Sequence, residues 1–484
     1  MKVLEGIWLD RKSETTLQDQ VAQQIRELIR QGALPPLSML PSSRELASQL
    51  RISRNTVVYA YDRLLSEGYA ESRSRSGVFV SALLALPQRG REIITSKQRK
   101  ALDAEGAFVS QALRTPAPFR PCQPDVTLFP LSVWNQLRGR ALRQYGQDLL
   151  HYQASCVSGF PALRQGIAQY LQAKRGVRCD WQQIVITGGS QQALYLLGDL
   201  LVPSYGTRVY MEDPGYLGAR LAWRSAGAKI IPGPLDEQGL QVPSDDSKDL
   251  ALIYTTPSRQ FPTGISLSLQ RRLAILDFAA RNKAWVIEDD YDAEFRYDAP
   301  PLPSLQGLDE NGRVIYVGTF SKVLFPSLRV GYVVVPPELF EKFREKKHLL
   351  DDHGPLIDQA TLALFLESGA FHAHIRRCRK TYAERQTCFL DLFYRSALPL
   401  EFRSTDGGMN LLGHLPPDAN DRAWSTRLSR GGLDIPSLSS YSLKAKVPGL
   451  VFGFTAHSPH RIKSALEAMV KLVGRKSADL YSRG

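Results

Sequence analysis

The sequence predicts a multi-domain protein: a small α+β head of three helices and a hairpin, then a large α/β body. Two patterns of apolar residues carry that reading. Residues 17–81 repeat apolar side chains mostly at helical spacing, whereas from about Phe119 to Val473 short strand-like runs alternate with helical stretches. A third observation separates the two parts. Residues 86–104 are polar and basic (Arg89, Arg91, Lys97, Arg99, Lys100), with no sustained apolar period, and read as a linker. The boundaries are 12–81 for the head, 82–118 for the linker and 119–475 for the body.

Composition limits the function classes. The chain has 484 residues, 43% apolar and 23% charged, which excludes collagen-like, disulfide-scaffold and wholly disordered proteins. Its five cysteines are widely spaced and never form Cys-x-x-Cys, so neither a disulfide framework nor a metal site is expected. The segment Met1 to Asp10 does not read as a secretory signal. No run reaches the ~18–20 apolar residues of a membrane span, so a cytoplasmic protein without membrane contact is expected. Lys plus Arg exceed Asp plus Glu by 61 − 48 = 13. That surplus suits anionic partners, but residues 1–80 hold eleven basic and nine acidic residues, so the head itself is only +2.

In the head, Leu17, Val21, Ile25, Leu28 and Ile29 define a first helix that Gly32 can end. Ser42 with Glu45 is a capping box before Leu46, Ala47 and Leu50. Ser53 caps a third helix carrying Val57, Ala60, Tyr61, Leu64 and Leu65 on one face, with Gly68 as its stop. The short Arg51-Ile52 gap makes the last two a helix-turn-helix. Two strand-like runs around the tip Arg73-Ser74-Arg75-Ser76-Gly77 add a wing. The first turn of a recognition helix meets the major groove, which makes Ser53, Arg54, Asn55 and Thr56 candidates for bases or phosphates. Arg44 and the wing's Arg73 and Arg75 are candidate backbone contacts, and the linker either solvates a tether or brushes phosphates. The run Leu40-Pro41-Ser42-Ser43-Arg44-Glu45-Leu46-Ala47, then Ser53-Arg54-Asn55-Thr56-Val57, Glu67-Gly68-Tyr69 and Ser76-Gly77-Val78-Phe79-Val80, resembles the GntR-type winged helix-turn-helix. That family usually has a glycine shortly before Leu-Pro-Ser; Leu37-Ser38 stands there instead.

Four body segments suit a phosphorylated pyridine aldehyde. The strand-like Val314-Ile315-Tyr316-Val317 runs into Gly318-Thr319-Phe320-Ser321-Lys322, and a lysine past a strand end can form a Schiff base. Ala284 to Ile287 deliver Glu288-Asp289-Asp290, of which a buried carboxylate could pair with a protonated ring nitrogen. Ile184 to Leu194 read strand, glycine turn, helix, which aims backbone N–H groups at an anion; Thr319 and Arg329 could reach the same phosphate. Asp213-Pro214-Gly215-Tyr216 puts an aromatic on a turn, suited to a flat ring.

These segments, with Pro262-Thr263-Gly264, resemble the fold-type-I, aspartate-aminotransferase-like enzymes over residues 119–475. The resemblance implies pyridoxal 5'-phosphate (PLP) as cofactor. It implies Lys322 as the Schiff-base lysine, Asp289 on the pyridine nitrogen, Tyr291 on the ring hydroxyl and Tyr216 stacked on the ring. It implies Gly189, Ser190, Gln191, Thr319 and Arg329 around the phosphate, with Tyr152 reaching it across a dimer interface. Head and body in this order are similar to the MocR subgroup of transcription regulators. That implies a head-to-tail, domain-swapped homodimer on an operator in double-stranded DNA, with a small amine, an amino acid or PLP itself as effector. Two positions depart from the enzymes. Arg259 replaces a His or Asn that touches the ring, which predicts an extra cation beside the cofactor. Val451 falls where an arginine usually clamps the substrate carboxylate. The alternatives are a working aminotransferase with a DNA-binding appendage, and a DNA-binding dimer whose body is only a scaffold.

Overall fold

The computed structural model describes residues 6–11, 13, 15–73, 76–82, 117–244, 250–297, 303–396, 398–403, 406–444 and 447–473. Most of the linker, and Arg75, lie outside these. Contacts divide the chain into Met1–Arg114 and Thr115–Gly484. Among the described residues no helix is long and apolar enough to cross a membrane.

In the head, α1 (Leu17–Arg30), α2 (Ser43–Leu50) and α3 (Arg54–Ser66) start at the caps Thr16, Ser42 and Ser53. The Ser42–Glu45 capping box is fully formed, and Ser53 Oγ accepts from Thr56 N at 3.1 Å. Val21, Ile25, Leu46, Val57, Leu64 and Val80 form the core. The wing is β1 (Ala70–Arg73) paired antiparallel with β2 (Gly77–Val80). Arg73 therefore belongs to the strand rather than to a free tip. Its guanidinium bonds Glu71 at 2.6 Å and lies 4.8 Å from the Phe79 ring centre.

The Leu37 turn closes without glycine. Leu37 adopts φ 66°, the left-handed region, and its N–H donates to Val80 O at 3.0 Å. Leu40 N–H then bonds Val78 O, so residues 37–40 lie along β2. A leucine in this conformation costs roughly 1 kcal/mol against glycine. The Leu37 side chain is half exposed, so Leu37→Gly should stabilise the head by about 1 kcal/mol in a urea melt.

The body is built on an eight-stranded sheet in the order β3-β10-β9-β8-β7-β4-β5-β6. The strands are β3 (Ile184–Thr187), β4 (Arg208–Asp213), β5 (Lys229–Asp236), β6 (Gly239–Leu240), β7 (Leu250–Thr255), β8 (Trp285–Asp290), β9 (Val314–Thr319) and β10 (Gly331–Val334). Strands β4, β5, β7, β8 and β9 are parallel, and β10 is antiparallel to both β3 and β9. Strand alternation splits the apolar residues between two faces. Ile287 and Ile315 pack with Leu194, Trp223 and Phe343, while Val286 and Val314 pack with Ile275 and Phe278. A smaller antiparallel sheet, β11 (Glu401–Phe402), β12 (Asn410–His414) and β13 (Gly449–Gly453), completes the body. Parallel sheets place ligand sites at the carboxyl ends of their strands. Here those ends lead into Tyr216, Thr256, Asp289 and Lys322.

Candidate functional site

A cavity of ~460 Å³ opens at those strand ends. Ser190, Gln191, Tyr216, Asp289, Tyr291, Thr319, Lys322 and Arg329 all line it, although they come from separate segments of the chain.

The three acids that end β8 have three different tasks. Glu288 accepts the N–H groups of Leu305 and Gln306, both at 2.9 Å. Asp290 accepts from Arg175 at 2.8 Å and from the Tyr316 hydroxyl at 2.5 Å. Between them, alternation turns Asp289 to the cavity. Its Oδ2 accepts the Tyr254 hydroxyl at 2.7 Å, and its Oδ1 is buried without a partner. Burial, with the neighbouring Asp290 and Glu212 charges, pushes its carboxyl up to about 7 despite the Tyr254 bond and Lys322. A buried carboxylate with a free oxygen suits a cationic ring N–H.

At the end of β9, Lys322 Nζ donates to Cys122 O at 3.0 Å. The hydroxyls of Ser321 and Tyr291 are buried without partners. The helix Ser190–Leu201 begins at Gly189, with φ 103° and no side-chain cap, so its first N–H groups are left to an anion. A Cβ at Gly189 would stand 3.0 Å from Arg329 Nη2, so glycine lets the guanidinium lie against this turn. Tyr216 donates to Gln191 Oε1 at 3.3 Å and meets the edge of Phe261, 5.9 Å between ring centres. An uncapped helix start beside a guanidinium, unpartnered hydroxyls and a carboxylate with one oxygen unpartnered form a donor and acceptor set that fits PLP.

Three positions singled out in the sequence do not line this cavity. Tyr152 is 89% exposed, near His353, and does not line this cavity. Arg259 does not line this cavity but a separate small pocket. There its Nη1 bonds Asp406 at 2.9 Å, its Nη2 bonds Asn410 O at 3.3 Å, and Asp292 lies at 4.0 Å. The room comes from Gly408, where a Cβ would sit 1.9 Å from Arg259 Nε. Phe261 lines the cavity instead. Val451 is fully buried with Leu412 and Leu438 and brings no charge to the site. Sequence reasoning missed Tyr254, the partner of Asp289, and Cys122, the partner of Lys322. A polar-tipped tyrosine at the end of an apolar strand was the only available sign of the first.

In the head, Arg44, Arg54 and Asn55 are exposed, and Arg54 Nε donates to Ser43 Oγ at 3.2 Å. Ser53 and Thr56 bond each other at 2.8 Å, which commits Ser53 to capping. Tyr59, 63% exposed on α3, is a surface aromatic that periodicity alone did not single out.

Comparison with known proteins agrees with both parts. Residues 17–80 match the bacterial regulatory proteins of the gntR family, and residues 130–468 match aminotransferase class I and II. The chain is 36% identical to the probable rhizopine catabolism regulatory protein MocR of Rhizobium meliloti, over 95% of this chain and 94% of that protein. It is 33% identical to the HTH-type pyridoxine biosynthesis transcriptional regulator PdxR of Corynebacterium glutamicum, over 95% and 96%. Among solved structures, the body is similar to a kynurenine aminotransferase of Pyrococcus horikoshii, with TM-score 0.69 and 25% identity over 80% of this chain and 96% of that one. It is also similar to the alpha-aminoadipate aminotransferase LysN of Thermus thermophilus, with TM-score 0.68 and 27% identity over 77% and 98%.

Proposed function

This chain belongs to the GntR-type transcription regulators that carry an aminotransferase-like body, and from that premise we propose that it binds operator DNA through its head and PLP through its body, with a small amine or amino acid as effector. The observation that carries the cofactor reading is the convergence of Lys322, Asp289, Tyr216 and Arg329 on one cavity. When bound, PLP supplies an aldehyde that captures amines and a ring that withdraws electrons.

The chain's own residues do the rest. Arg329, Ser190, Thr319, Ser321 and the N–H groups after Gly189 would hold the phosphate; Asp289, fixed by Tyr254, would hold the ring N–H. Tyr291 would donate to the ring hydroxyl, and Tyr216 would cover the ring. With its amine free, Lys322 donates to Cys122 O. Engaging that amine elsewhere removes this bond to the segment 118–123, which β13 also holds through Gly453 N–H to Phe119 O at 2.7 Å. An effector switches the protein only by favouring one such arrangement over the other.

We propose a homodimer in which Tyr152, exposed in its own chain, completes the partner's phosphate site. The lack of charge at Val451 favours a regulator over an enzyme for ordinary α-amino acids. Purified protein with added PLP should show a visible absorption band that candidate amines shift. A spectrum identical to that of free PLP would refute the cofactor reading, and sustained turnover with a keto acid would make the protein an enzyme.

On DNA, Arg54→Ala should weaken operator binding by ~1–3 kcal/mol if Arg54 reads a base, with the salt slope kept. A phosphate role predicts instead a slope shallower by about one unit, measured by fluorescence anisotropy across a salt series.

A further inference from the structure

The cavity has charged lining residues that the cofactor does not use. Asp289, Lys322 and Arg329 have tasks above; Arg120 and Asp434 do not. These two stand at its solvent-exposed end, with Arg120 Nε 3.6 Å from Asp434 Oδ2 and side chains 57% and 46% exposed. Backbone bonds fix their neighbourhood: Asp434 N–H donates to Pro118 O at 3.0 Å, and Gly453 N–H to Phe119 O. An ion pair this exposed and this long contributes little, so each partner is free to take another.

Phe261, Tyr216 and Tyr441 line the same cavity. The Phe261 ring centre lies 5.1 Å from that of Tyr441 and 5.9 Å from that of Tyr216. Such walls suit a short methylene chain and offer it no charge. With Val451 enclosed in an apolar cluster, the inner end receives a bare amine, and the outer end presents one cation and one anion side by side.

We propose that the effector is a diamino monocarboxylic acid. Its side-chain amine points toward Lys322, its carboxylate pairs with Arg120 and its α-ammonium pairs with Asp434. This rests on the reading of the Lys322 cavity as the cofactor site. Charge matching selects the class. A plain diamine sets an ammonium against Arg120, and an ω-amino acid sets a carboxylate against Asp434; only a ligand with both groups satisfies both residues.

The test titrates the visible band of the full-length, PLP-loaded protein with ornithine, putrescine and 5-aminopentanoate, then with lysine, cadaverine and 6-aminohexanoate. In at least one series the diamino acid should act at about tenfold lower concentration than either truncated analogue. Asp434→Asn should erase the preference over the ω-amino acid, and Arg120→Gln the preference over the diamine. Comparing ligands within each variant cancels any change in cofactor affinity. A flat ranking in the wild type, or a ranking unchanged in both variants, overturns the proposal. A wild type with no visible band overturns the cofactor reading as well, whereas a responsive band with a flat ranking overturns this inference alone.

Discussion

Replacing Lys322 by alanine is expected to abolish the visible band and to make DNA binding indifferent to amines. Lys322 is the lysine that the cavity lining presents at the end of β9. Without it PLP would be held by phosphate and ring contacts alone, and retention through dialysis should fall roughly 100-fold or more. The substitution also removes the bond to Cys122 O. Operator affinity measured with and without a responding amine should therefore differ for the wild type and coincide for the variant. An amine response that survives Lys322→Ala would place the effector elsewhere.

Replacing Asp289 by asparagine is expected to have opposite effects on stability and on cofactor binding. In the cofactor-free protein Asp289 is buried, one oxygen lacks a partner, and its carboxyl is pushed up to about 7. The folded state thus holds a proton that the unfolded state has released above the ordinary aspartate value near 4. This group's contribution to stability is greatest at low pH and is lost as pH rises through about 7. The asparagine side chain has no charge to bury, so at pH 8 the cofactor-free variant should be more stable by about 1–3 kcal/mol, an advantage that shrinks as pH falls below 7. Its affinity for PLP should drop ~10–100-fold, because a charge-assisted bond to the ring N–H becomes a neutral one. Thermal melts of both proteins at pH 5.5 and pH 8, with and without PLP, read both effects.

Much of the fold was legible because local rules and tertiary structure agree. The caps at Ser42 and Ser53 and the apolar stripes of α1 to α3 specify the head without long-range information. The strand ends at Asp289 and Lys322 follow from apolar runs that stop in polar residues. What sequence could not give depends on distant contacts. Arg259 is drawn from the cavity by Asp406 and by the space over Gly408, well over a hundred residues downstream. Cys122 reaches the site because its thiol bonds Asn410 Oδ1 at 3.1 Å, across 288 positions of sequence. The three acids 288–290 could not be told apart by composition; alternation along β8 separates them once the faces of the sheet are known.

The central claim, that the body binds PLP through Lys322, is tested most directly by reducing the PLP-loaded protein with borohydride and mapping the modified peptide by mass spectrometry. The predicted result is one stoichiometric phosphopyridoxyl modification, on Lys322. Modification spread over other lysines, or none at all, would contradict it.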